Sequence, residues 1–368
     1  MRKIKNLAGR LAAFLKTKGI FLLFWIYFKR IADGYKVYKS ILEKYGNDIR
    51  IFVEHYPGTG DIYLTCALLE SYLKKMGNSE KYVVTIIGKG SVKIANLLGI
   101  TDTVLLTQQE SDDLLTLYRF VGPELMPNVT VLHYSPIMFH SSILDQMAGY
   151  NGLDFMTMYL QTVFPGVTWQ DSKHFKPCND QERILEYLDE KALIPGKTVV
   201  LFPFANTIEH VAFDRWERLA RHLREDGFTV CTNVEKGGPV VPGTLPIFVP
   251  YADLRAFVET CGYAIGLRSG VFDIIADADC DKIVLYPTPN FYKFGVGTIF
   301  DYFSLVKMGI AKRTYEFEFE RVNEVYVFRK VYELVSEISS GKKPSFVGCK
   351  KCCYLTSHDV NNYSSGSV

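Results

Sequence analysis

Residues 48–76 read DIRIFVEHYPGTGDIYLTCALLESYLKKM. Asp48 to His55 is a short, β-branched and apolar run, Pro57 to Gly60 is a turn, and from Asp61 to Met76 the apolar residues recur at helical spacing. A strand that is apolar throughout, rather than alternating, is one covered on both faces, and that belongs to a parallel sheet flanked by helices. The pattern continues downstream: a strand over Lys81–Gly88, a helix over Ser91–Leu98, a strand over Asp102–Thr107, a helix over Ser111–Phe120 and a strand over Asn128–Tyr134.

A second series follows the Pro195-Gly196 break. Lys197–Ala205 reads as a strand, Phe213–Asp226 as a helix closed by Gly227, and Phe228–Val234 as the next strand. A short strand at Pro246–Pro250, a helix at Ala252–Cys261, a strand at Tyr263–Leu267, a helix at Val271–Ala278 and a strand at Asp281–Tyr286 complete it, with a closing helix from Val325 to Ser339. The expected fold class is therefore α/β, with two Rossmann-like doubly wound domains facing a central cleft, because ligands bind at the carboxyl ends of such sheets. The expected division is a basic segment over 1–47, an N-terminal domain over 48–175, a C-terminal domain over 176–345 and a cysteine-containing, disordered tail over 346–368. At 368 residues, 48% of them hydrophobic and 22% charged, the chain can fill two cores. Its net charge of +2 supplies no global field for nucleic acid.

The basic segment is the local exception. Residues 1–44 carry eleven Lys or Arg against Asp33 and Glu43, and within them Ile20–Phe28 is an unbroken apolar run. A run this short does not span a hydrocarbon core, which needs about 20 residues. Lys29 and Arg30 stand where a signal peptide would have small cleavage-site residues. An amphipathic helix lying in the lipid headgroup layer is the expectation, with a helix packed on the protein's own core as its alternative. The eight cysteines show no pairing pattern, and Cys66, Cys231, Cys261 and Cys280 lie in apolar surroundings, as in a reduced cytoplasmic protein.

Three places carry candidate chemistry. In Gly58-Thr59-Gly60-Asp61 the glycines let backbone amides approach a ligand, and Asp61 is a carboxylate at a strand end that can take the proton of an attacking hydroxyl. The same aspartate is also an ordinary first-turn helix acid. A dinucleotide fingerprint is excluded, because Tyr63 occupies its third glycine position and Lys89, rather than an acid, follows the second strand. In Arg268-Ser269-Gly270, with Asp273 following, a hydroxyl, an amide and a planar cation can serve a diphosphate; alternatively Arg268 pairs with an acid. Asn206, Thr207, Glu209 and His210 follow the Lys197–Ala205 strand and are either donor contacts or plain loop. Asp277-Ala278-Asp279 imitates a metal-binding D-x-D pattern at the wrong end of its helix, and no metal or cofactor is expected. Trp25, Trp169 and Trp216 read as packing residues.

These residues resemble the heptosyltransferase-like glycosyltransferases (glycosyltransferase family 9 and relatives), which have the GT-B architecture. The likeness rests on Gly60-Asp61-Ile62-Tyr63-Leu64-Thr65, on Leu201-Phe202-Pro203-Phe204-Ala205, on Phe213-Asp214-Arg215-Trp216 and on Ser269-Gly270. It implies that Asp61 activates the acceptor and that Ser269-Gly270 binds the donor. Where the family has an acid before Ser-Gly and a His three residues after it, this chain has Arg268 and Asp273. The expected activity is a metal-independent, inverting transfer from a nucleotide-sugar donor to a glycan or glycolipid acceptor, in polysaccharide or lipopolysaccharide assembly. The expected location is the inner face of the cell membrane, reached through residues 1–44. A sugar-nucleotide 2-epimerase with His55 at its site and a non-catalytic scaffold are the alternatives.

Overall fold

In chain order, helix α1 (Ile20–Tyr45) is followed by β1 (Arg50–Val53), α2 (Thr59–Lys75), β2 (Tyr82–Ile87), α3 (Lys89–Leu97), β3 (Thr103–Leu106), α4 (Gln108–Val121) and β4 (Val129–Val131). After these come α5 (Phe155–Thr162), α6 (Gln181–Glu190), β5 (Thr198–Phe202), α7 (Phe213–Glu225), β6 (Thr229–Asn233), β7 (Leu245–Ile247), α8 (Tyr251–Cys261) and β8 (Gly262–Leu267). The last elements are α9 (Gly270–Ile274), β9 (Asp281–Thr288), α10 (Ile299–Phe303), β10 (Thr314–Glu320), α11 (Glu324–Ser339) and β11 (Cys352–Thr356). This computed structural model describes residues 20–77, 81–132, 154–175, 181–206, 208–235, 237–288, 298–342 and 352–356. The chain groups into two compact units, Met1–Pro57 with Asn78–His133, and Gly58–Gly77 with Tyr134–Val368.

The first unit is built on a parallel sheet of order β3-β2-β1-β4. Ile51, Val53, Val83 and Val129 from its strands share a core with Ile41 of α1 and Leu114 and Leu117 of α4. The α4 helix starts at a reciprocal cap. Thr107 Oγ1 accepts from the Glu110 amide, and the Glu110 carboxylate accepts from the Thr107 amide at 2.7 Å, so two otherwise unpaired donors are satisfied. Helices α1 and α4 touch at Gly34, where a Cβ would stand 2.2 Å from the carbonyl oxygen of Asp113. Arg30 donates to the buried Asp113 carboxylate at 2.8 Å beside this contact. The second half of α1 therefore does pack on the protein's own core, as the alternative reading of that segment required.

The second unit has the strand order β11-β10-β9-β8-β5-β6-β7, parallel except for β11. From β5 the chain lays β6 and β7 to one side, then returns to lay β8, β9 and β10 on the other. The order reverses between β5 and β8, and the carboxyl ends of those two strands form the crevice where doubly wound sheets bind ligands. Val199 and Leu201, Ile265 and Leu267, Ile283 and Leu285 line the buried sheet, and Trp216 of α7 packs edge-on against Phe328 of α11. Each large side chain so buried contributes roughly 1.5–3 kcal/mol. Cys66, Cys231, Cys261 and Cys280 are buried and outside any disulfide, as their apolar surroundings indicate.

Two expectations are corrected here. The segment read as a disordered tail contains β11, which pairs antiparallel with β10 through Tyr315 opposite Thr356 and Phe319 opposite Cys352. The expected boundary near residue 175 does not coincide with the grouping of contacts, because α2 belongs with the second unit, where its first turn packs on α9.

Candidate functional site

The two glycine-containing motifs, some 200 residues apart in the chain, meet within the second unit. A Cβ on Gly270 would lie 2.3 Å from the Gly60 amide nitrogen, and one on Gly60 would lie 3.1 Å from the Gly270 Cα. Only residues without side chains let the starts of α2 and α9 come this close. The glycines of the first motif were expected to let a ligand approach the backbone, and Gly270 to offer its amide to a phosphate. At Gly60 and Gly270 the space is instead filled by the other helix start.

Arg268 leaves the end of β8 and is held at every turn. Its amide donates to Leu285 of β9, Nε donates to the Phe303 carbonyl at 2.9 Å, and Nη1 donates to the Ser269 carbonyl at 2.8 Å. Nη1 and Nη2 form a two-point pair with Asp273 at 2.9 and 2.6 Å. Both side chains are buried, with 7% and 3% of their surface exposed. Burial raises the proton affinity of Asp273, and the guanidinium works against that rise. The two departures from the family pattern thus answer each other: the cation at 268 and the anion at 273 form one buried ion pair. The expectation that Arg268 grips a diphosphate does not fit this geometry, since its fork is already closed on a carboxylate.

Asp61 is the third residue of α2 and remains partly exposed. Its carboxylate folds back over the helix start, so that a Cβ on Gly58 would stand 2.3 Å from Oδ2. Burial pushes the Asp61 carboxyl up to about 6, the Asp273 carboxylate adds to the rise, and Arg268 opposes it. A surface acid in a helical first turn would be shifted the other way by the helix dipole. The surroundings of Asp61 thus shift it in the direction opposite to that of a plain first-turn acid.

The other nominated residues fall into place around this pair. Ser269 caps the N-terminus of α9 in position but makes no side-chain cap, and its Oγ is buried without a hydrogen-bond partner among the described residues. The loop after β5 is pinned by Ala205, Ile208 and Val211 in the core, which leaves Asn206 and Glu209 exposed at the carboxyl end of the strand paired with β8. Thr207 lies outside the described residues. Thr59 places its Oγ1 3.5 Å from the Tyr251 hydroxyl at the start of α8. His55, in the first unit, contacts Ser111 Oγ at 2.9 Å through Nδ1 and Asp112 at 3.3 Å through Nε2, and burial lowers its proton affinity.

Asp277 and Asp279 do not form a metal pair. Asp277 accepts from Arg255 at 3.0 Å and lies 3.6 Å from His174, while Asp279 accepts from Arg313 at 3.0 Å. Among the described residues no cluster of three His, Cys, Asp or Glu is arranged to hold a metal. Trp169 and Trp216 are buried, as packing residues should be, whereas Trp25 is exposed.

One layer of the site was not anticipated. Phe303, whose carbonyl accepts from Arg268, also lies with that carbonyl oxygen 3.2 Å from the Tyr286 hydroxyl, whose one proton goes to Glu316. Tyr286 and Ser304 in turn donate to the buried Glu316 carboxylate, which also accepts from the Leu305 and Val306 amides. Glu316 sits in TYEFEFE on β10, a segment that the sequence does not nominate, where alternation of Glu with Phe would leave the Glu side chains on a wet face. The carboxylate is buried instead, because four donors converge on it.

Comparison with solved structures places this fold. The heptosyltransferase II of E. coli, named for ADP-heptose and lipopolysaccharide, is similar with a TM-score of 0.51 at 11% identity, covering 79% of this chain and 99% of that one. A glycosyl transferase family 9 protein from Veillonella parvula gives 0.45 at 14% identity, covering 83% and 92%, and the E. coli heptosyltransferase WaaC with ADP gives 0.37 at 10%, covering 66% and 88%. At such identities the first of these likenesses shows the fold. No protein-family model and no curated protein matches the chain.

Proposed function

We propose that the chain is a glycosyltransferase of the GT-B type that moves a sugar from a nucleoside diphosphate donor to a hydroxyl of a lipid-linked or cell-surface glycan, with Asp61 as the general base. The observation that carries the reading is the position of Asp61, partly exposed in the first turn of α2 where that helix start meets α9 and the buried Arg268–Asp273 pair, surroundings that push its carboxyl up to about 6. A base with that proton affinity is ionised at neutral pH yet binds a proton far better than a free aspartate. The fold likeness to a heptosyltransferase supports the reaction class.

In this reading Asp61 takes the proton of the acceptor hydroxyl as its oxygen bonds to the anomeric carbon. The bond from that carbon to the phosphate oxygen breaks on the opposite face, and the nucleoside diphosphate leaves with the electron pair, so configuration inverts. No metal is assigned to the step. Asn206 and Glu209 stand at the switch point of the second sheet and are the donor contacts, together with the unpartnered Ser269 hydroxyl. Arg268 is a positioning residue: it holds Asp273, and through it the charge beside Asp61, in place.

The test is a thermal-shift screen against ADP, UDP, GDP, CMP and NAD. A ligand present at a hundred times its dissociation constant stabilises by about 2.7 kcal/mol, which moves the melting temperature by several degrees. A shift with one nucleoside diphosphate, reduced in Asn206→Ala with Glu209→Ala, supports the reading. A shift with NAD alone, or with none of the five, contradicts it.

A further inference from the structure

Helix α1 has two halves with opposite environments. From Arg30 onward it is fixed to the first unit through the Arg30–Asp113 pair, the Gly34 contact and the buried Ile41. Before Arg30, five consecutive residues, Phe24, Trp25, Ile26, Tyr27 and Phe28, are all exposed, with 56%, 68% and 54% of the surface open at Phe24, Trp25 and Phe28. Five consecutive residues of a helix point in every direction around its axis, so over Phe24–Phe28 no face of the helix is buried. Tyr27 and Phe28 do meet one neighbour, Phe120 at the end of α4, with all three ring pairs edge-on at 6.3 Å between centroids. Phe120 is itself more than half exposed and extends the apolar surface rather than covering it.

An exposed aromatic cluster of this size is an interaction surface and not a stray apolar side chain. The charge around it selects the partner. Lys29 is exposed at its border, and residues 1–19 of the sequence add Arg2, Lys3, Lys5, Arg10, Lys16 and Lys18 with no Asp or Glu. A protein partner or a second copy of the chain would have to bring its own acidic face to this concentration of cations. An anionic bilayer offers both an apolar layer at the depth of the rings and a negative surface at the depth of the lysines. No helix among the described residues is long and apolar enough to cross a membrane, so the contact is one of partial insertion.

We infer that the projecting half of α1, with Phe120, inserts into the headgroup layer of an anionic membrane, and that the folded half of the same helix fixes the first unit to that surface. The inference stands apart from the transferase reading, since it uses none of the residues assigned there.

The full chain carries its own reporter. Of its three tryptophans, Trp169 and Trp216 are buried and Trp25 is exposed, so a change in emission on lipid binding comes from Trp25. The experiment mixes the protein with vesicles of phosphatidylglycerol and phosphatidylcholine, and with vesicles of phosphatidylcholine alone, and follows sedimentation and tryptophan emission. The account expects binding to the anionic vesicles, a blue shift that brominated lipid quenches, and weaker binding as salt is raised. Phe24→Ser with Phe28→Ser, both exposed and so neutral for folding, is expected to lower the partition coefficient by roughly tenfold or more. Three results overturn it: no sedimentation with anionic vesicles, equal binding by the double variant, or a dimer in solution that the double variant dissociates while no lipid binding is seen.

Discussion

Asp273 Oδ2 occupies the place where a side chain on Gly60 would begin, 2.2 Å from an ideal Cβ. The carboxylate cannot swing aside, since both of its oxygens are held by Arg268. Gly60→Ala is therefore expected to force the two helix starts apart. Gly60 lies within α2 and is not among the glycines with positive φ, so the cost is steric and amounts to about 1–3 kcal/mol. Gly90 is the control. It lies in α3 with open space around it, and Gly90→Ala is expected to be neutral or stabilising by up to about 1 kcal/mol. Urea unfolding of both variants checks the contrast, and equal stabilities would show that the helix starts are not in contact.

The buried Arg268–Asp273 pair should behave as one unit. Removing either partner leaves a charge stranded away from water, which costs about 3–5 kcal/mol. Removing both, as in Arg268→Met with Asp273→Leu, should cost far less than the sum. A double-mutant cycle in urea gives the coupling. Additive effects would mean that Arg268 faces an open site and that a diphosphate, rather than Asp273, is its partner.

Asp61 should work against stability at the pH where it works for catalysis. Its carboxyl binds a proton near pH 6 in the folded chain and near 3.8 without its surroundings. Between those values the folded state holds the extra proton, so stability is highest at low pH and falls as pH rises through about 6. The penalty above pH 6 is at most about 3 kcal/mol, since the side chain is partly exposed. Asp61→Asn, which mimics the protonated form, is expected to be more stable than the wild type at pH 8 by about 1–3 kcal/mol and equal to it at pH 4. A constant difference across that range would remove the case for a raised proton affinity.

Much of the fold is readable along the chain, because buried parallel strands must be apolar runs and the helices between them show their spacing. Strands β1 to β6 fall inside the segments that the sequence nominates, while β8 begins one residue before its segment and β9 ends two residues after its own. Elements without such a run escape that reading: α5 is only eight residues long, and β10 alternates Glu with Phe. The residues Asp61, Arg268, Ser269, Gly270 and Asp273 can each be nominated from local patterns, but their partnership cannot. Nothing in either motif says that Gly60 and Gly270 touch, and an arginine beside Ser-Gly looks like a phosphate ligand until the acid three residues past Gly270 is seen to close on it. Glu316 gives no signal at all, because its four donors come from the segment Tyr286–Val306 rather than from β10. In α1 the composition names both fates, core and surface, and the structure shows that the helix divides between them at Arg30.

The pH dependence of the reaction follows from the same carboxyl. If Asp61 must be ionised to accept the proton, kcat/KM should fall below about pH 6 with a single protonation, the value that burial and Asp273 impose. A limb near pH 4 would assign the base to an ordinary exposed carboxylate.

The account turns most directly on the turnover of Asp61→Asn, measured with the nucleotide sugar that the binding screen selects and with donor binding followed in parallel. Loss of a general base predicts a fall in kcat of roughly 100- to 10,000-fold, with donor affinity changed by no more than a few-fold. Near-native turnover in a folded Asp61→Asn protein would contradict the assignment and reduce Asp61 to a residue that packs the start of α2 against α9.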